Sequence, residues 1–158
     1  MRKIIVITSV TAIVLIAEWL LILSGILPLD ELEPSRINVI GYRSWFMSFS
    51  VPDMWIVICC LLSCYYALKN KIKAIVFSMI AGSSMIFLAL VTITFYAQNS
   101  MLFDLNYYQL FENLAVVWLL MSGAWLIYIG IQRFGSVPVE GENQKQGSPG
   151  RTVEGDSA

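Results

Sequence analysis

Long uninterrupted apolar runs organise this chain. A bilayer core about 30 Å thick is crossed by about 20 helical residues, and four runs reach that length. The first covers residues 4–27 and is broken by one acid, Glu18; the second covers 51–68, with Asp53 near its start. The third, 74–96, lies within the thirty uncharged residues between Lys73 and Asp104, and the fourth, 113–132, fills the twenty between Glu112 and Arg133. The pattern predicts an all-α fold, an integral-membrane four-helix bundle over residues 1–134 with short hairpin loops. Residues 135–158, "GSVPVEGENQKQGSPGRTVEGDSA", carry Gly, Pro, Ser and charge and have almost nothing to bury. They are expected to form a disordered cytoplasmic tail.

Arg2 and Lys3 ahead of an apolar run also match the opening of a secretory signal peptide. The run is too long for that reading and no small-x-small cleavage site follows it, so the first helix is expected to be retained. The stretch "RINVIGYRSWFMSFSVP" leading into the second run has apolar and aromatic residues throughout. It suits a short interfacial helix or re-entrant stretch with Trp45, Phe46 and Phe49 at headgroup level, or an early start to the second span.

Basic residues in short loops are held on the cytoplasmic side. Arg2 and Lys3 precede the first run, Lys69, Lys71 and Lys73 crowd the turn between the second and third, and Arg133 follows the fourth. With four spans these positions share one side. On the other side Asp30, Glu31 and Glu33 outnumber Arg36 and Arg43, and the loop 98–111 has no basic residue. The expected arrangement is a multi-pass cell-membrane protein with both termini cytoplasmic.

Composition agrees and removes several functions. The chain is 58% hydrophobic and 13% charged, against about 45–50% and about 25% in soluble domains. Net charge is −1 with the basic residues scattered, so there is no basic stripe for nucleic acid. Histidine is absent, which excludes Ser/His/Asp and Cys/His catalysis and removes the commonest metal ligand. Cys59, Cys60 and Cys64 fall in one run without C-x-x-C spacing and read as small buried apolar residues. No metal or cofactor is expected; the partners are the lipid bilayer and, on one reading, other membrane proteins.

Small residues mark where helices approach closely in lipid. Ser78 and Gly82 on the third run, and Gly123 and Gly130 on the fourth, place a contact between those two helices.

The acids are the informative set. A charged side chain at the bilayer centre costs about 2.5–3.5 kcal/mol on the insertion scale, so it faces the bundle interior or water. Glu18 lies nine residues from the end of its run, about 14 Å at the helical rise. Asp53 and Glu112 begin their runs and have an ordinary alternative as acids at helix N-termini; Glu18, in mid-helix, does not. These positions predict an outward funnel with Asp53, Glu112, Gln98 and Asn113 at its rim and Glu18 deeper.

Three functional readings follow. One is a transport or binding component whose pocket holds a cation, a proton or an amphipathic amine. A second is a membrane-embedded enzyme using a carboxyl acid/base pair on a lipid-like substrate. A third is a non-catalytic accessory protein. No evident catalytic machinery supports the second, and no inverted repeat or broken-helix pair supports a full transporter.

Overall fold

The computed structural model describes residues 1–26, 41–102 and 107–134. The acids at 30, 31 and 33, Arg36, Asp104 and the expected disordered tail 135–158 lie outside the described residues. The helices are α1 (Arg2–Leu23), α2 (Tyr42–Met47), α3 (Ser50–Leu68), α4 (Lys73–Gln98) and α5 (Tyr107–Phe134). Four spans are long and apolar enough to cross a membrane, one each from α1, α4 and α5 and one formed by α2 and α3 together. No strand is present among the described residues.

Helix ends follow local chemistry. At the end of α3, Asn70 takes the left-handed conformation (φ 51°). Its N–H donates to Ala67 O and that of Lys71 to Tyr66 O, each at 3.0 Å, the paired bonds that satisfy the last carbonyls of a helix. The end of α4 repeats this with Ser100 (φ 57°) and Met101, whose N–H donates to Tyr96 O at 2.9 Å. Gly25 (φ 72°) stands at the corresponding position after α1. Pro52 falls in the first turn of α3, where its missing N–H is no loss.

The segment 42–49 settles the two readings of the first loop in an intermediate form. A separate short helix, α2, runs almost directly into α3, with only Ser48 and Phe49 between them. Ser48 turns the chain, its hydroxyl donating to Trp45 O at 2.5 Å.

The helices pack in chain order: α1 on α3, α3 on α4 and α4 on α5. Closest is α4 against α5. A Cβ added to Gly82 would stand 2.8 Å from Gly123 O, and one added to Gly123 would stand 2.7 Å from Gly82 O. Ser78 is buried on the same face, so the contact expected from these small residues is the one observed. On α3, Ser63 donates to Ala74 O at 3.0 Å, and Cys64 Sγ lies 3.1 Å from Thr8 Oγ1 and 3.0 Å from Ser9 Oγ on α1. Cys59 and Cys60 are buried in the core.

The outside of the bundle is apolar, with Val6, Ile13 and Leu20 on α1, Leu61 on α3, Phe87 on α4 and Met121 on α5 all exposed. Such a surface is what lipid requires. Four helices of this kind are compatible with a small multi-pass membrane protein.

Because backbone meets backbone at the α4–α5 contact, Gly82→Leu and Gly123→Leu are each expected to cost about 1–3 kcal/mol through overpacking. The check is thermal unfolding in detergent, where both should melt earlier than wild type. Ser83→Ala, on the exposed face of α4, should change stability by less than about 0.5 kcal/mol.

Candidate functional site

Glu18, Asp53 and Glu112 come from three different helices and line one cavity of about 70 Å³. That volume holds several water molecules. Its other walls are aliphatic, from Leu15, Leu88, Val116 and Leu119, and aromatic, from Trp45, Phe46, Phe49 and Tyr96. Among the described residues the lining contains no lysine or arginine.

Each acid is held differently. Asp53 is only 7% exposed. The Trp19 indole on α1 donates to its Oδ2 at 2.9 Å, while its Oδ1 is buried with no hydrogen-bond partner. Glu112 accepts a hydrogen bond from the hydroxyl of Tyr96, itself almost fully buried on α4. Glu18 is half-buried and makes no hydrogen bond among the described residues. It lies within electrostatic reach of both Asp53 and Glu112. A carboxyl so placed is stable when neutral or when ionised with a cation beside it, because a buried charge without compensation is costly.

The aromatic wall is built by α2. Trp45 stacks on Phe95 of α4 with ring centroids 3.6 Å apart and planes 12° from parallel, and Phe49 meets Trp45 edge-on at 4.6 Å. Phe46 touches Trp19 at 6.0 Å. Such pairs contribute about 0.5–1.5 kcal/mol each beyond their burial. They fix α2 over the same helices that carry Asp53 and Tyr96. Trp45, Phe46 and Phe49, expected at headgroup level, therefore line the cavity.

The structure does not bring together all five residues expected at the funnel. Gln98 is exposed at the end of α4 and borders a separate depression beside Phe95 and Leu90. Asn113 is turned to local bonding, accepting from Gln109 Nε2 and donating to Leu102 O, both at 3.2 Å. Neither lines the cavity. The helix-start reading holds for the position of Asp53, in the first turn of α3, though it makes no cap hydrogen bond there, and fails for Glu112. Asp53 bonds to a side chain on another helix, and α5 begins five residues before Glu112.

Sequence reasoning passed over Trp19, and it named Trp45, Phe46 and Phe49 without placing them at the cavity. A signal was available for Trp19: it neighbours the anomalous Glu18, and its N–H needs a partner when buried. Gln109, fully buried with Oε1 unpartnered, had no such signal.

Three carboxyls facing one space suggest a metal site, but among the described residues no three Cys, Asp or Glu side chains are placed to hold one ion. The cavity instead combines separated acceptors with aromatic faces, the chemistry that receives a proton or an organic cation.

Trp19→Phe leaves a buried carboxyl with neither oxygen paired and is expected to cost about 1–3 kcal/mol. Adding Asp53→Leu removes both partners and should recover most of that loss in thermal unfolding. A double variant no more stable than Trp19→Phe alone would show that the bond does not hold α1 to α3.

Comparison with protein-family models, with curated proteins and with solved structures finds no match to this chain.

Proposed function

We propose that this protein is a membrane-embedded binding component for a small cation, received in an outward-facing pocket by Glu18, Asp53 and Glu112. The observation that carries the reading is the meeting of these three side chains at one cavity, with an Asp53 oxygen buried and unpartnered. An unmet acceptor in an apolar interior is a cost that a bound donor removes. Trp45 and Tyr96 add faces on which a cation is attracted by the ring quadrupole.

The outward direction rests on charge. Arg2, Lys3, Lys69, Lys71, Lys73 and Arg133 gather where α1 and α4 begin and α3 and α5 end, opposite the cavity. The positive-inside rule puts that end, with both termini, in the cytoplasm. In right-side-out vesicles, a membrane-impermeant maleimide should label a cysteine at Gln98 and spare one at Lys71, in a background with the native cysteines replaced by alanine. The reverse pattern would turn the pocket inward.

Ethylammonium is a suitable probe of the pocket, since Trp45 lines the cavity and Trp19 bonds to Asp53, and both report by fluorescence. A saturable change is expected on titration into the detergent-solubilised protein. Glu18→Gln and Asp53→Asn should each weaken it at least about tenfold, which corresponds to about 1.4 kcal/mol. No response in the wild type, or equal affinity in both variants, would falsify the cation reading.

A further inference from the structure

The ring of helices is loosest between α1 and α5. α1 packs on α3 and α5 packs on α4, but between α5 and α1 runs a groove of about 330 Å³, within the range of small-molecule sites. Val10, Val14, Leu114 and Trp118 form its apolar walls. One polar contact spans it, from Trp118 Nε1 to Thr11 Oγ1 at 3.3 Å.

The groove and the acidic cavity adjoin along shared walls. Leu15, Glu18, Ala115 and Leu119 line both. Glu18 therefore borders both an apolar space and a carboxyl-lined one.

We propose that the ligand is a long-chain primary amine, which reaches the carboxyls sideways from the bilayer, its alkyl chain in the α1–α5 groove and its ammonium among Glu18, Asp53 and Glu112. This inference rests on the cation reading above and adds to it the tail and the route. Three observations select the occupant. A primary ammonium offers three donors and no acceptor, matching a cavity lined by Asp53, whose buried Oδ1 has no partner, and by Glu18, whose carboxyl makes no hydrogen bond among the described residues. The separated carboxyls suit a group that bonds in several directions, since they are not placed around one metal ion. The groove beside them has apolar walls that an alkyl chain can lie against without leaving a polar group unmet.

The route also explains how a charged head reaches a site inside an apolar bundle. Glu18 meets the ammonium at the groove's inner edge, so the head leaves the interface only as it becomes paired.

The test uses hexadecylamine carrying a diazirine midway along its chain, in phosphatidylcholine vesicles containing the full chain, with labelled positions read by mass spectrometry. Label is expected on the groove residues Val10, Val14, Leu114 and Trp118. It should fall at least fivefold in Glu18→Gln and in Asp53→Asn, and also in wild type with excess ethylammonium, an arm that needs no variant. The matching hexadecanol probe should not concentrate there. Val14→Trp should displace the label by filling the groove, and Leu90→Trp, on the exposed face of α4, should leave it unchanged. Label spread evenly over lipid-facing helix surfaces, or groove labelling that ignores head charge, the acid variants and ethylammonium, would overturn the inference. The fluorescence titration keeps the two readings apart. Ethylammonium binding with no groove labelling removes the tail and the route alone, whereas absence of ethylammonium binding removes the cation site itself.

Discussion

The hydrogen bond from the Trp19 indole to Asp53 is the interaction around which the carboxyl-lined end of the bundle is arranged. It joins α1 to α3 beside the cavity. It also satisfies one oxygen of a carboxyl that is only 7% exposed. Because the indole has a single N–H, the other oxygen is left without a partner. Phe46 packs on the same indole, which brings α2 down and places Trp45 against Phe95 of α4. The second polar tie, Tyr96 to Glu112, joins α4 to α5 at this end. Two side-chain hydrogen bonds thus hold four helices around one small space, and each uses an acid that could not otherwise be buried cheaply.

Much of the fold was legible because bilayer length and unbroken hydrophobicity leave few alternatives. The third and fourth runs needed only their length and their bounding charges. Gly82 and Gly123 disclosed the α4–α5 contact because close approach in lipid requires small residues and little else. Glu18, Asp53 and Glu112 were visible as anomalies, since ionisable groups in such runs are expensive wherever they fall.

The geometry of the site was much less legible. The alignment of Asp53 with Trp19 depends on how α1 and α3 are rotated about their axes, and apolar residues on every face of a helix carry no signal of rotation. Gln98 and Asn113 looked equivalent to the acids by depth alone. Depth says nothing about azimuth, and both point away from the cavity. Glu112 resembled a helix start because its apolar run begins just after it; the helix itself begins at Tyr107, where polar residues hide the boundary. The aromatic residues of α2 fitted an interfacial belt equally well, and tertiary packing decided otherwise.

The loose seam between α1 and α5 bears on how such a small bundle could combine stability with access. Tightening it would bury Glu18 among aliphatic side chains with no donor beside it, the most expensive arrangement for that group. Leaving the seam loose costs comparatively little in a membrane, because lipid chains meet Val14 and Leu114 as well as another helix would and no hydrophobic gain is forfeited. α1 and α5 touch through Trp118 on Thr11 and Lys3 over Trp125, and the closer packing is supplied by α3 and α4, through the Gly82–Gly123 contact at one side and Thr8, Ser9 and Cys64 at the other. The same acid that makes closer packing there unfavourable lines both the groove and the cavity, so one residue bears on the loose seam and on the chemistry offered at it.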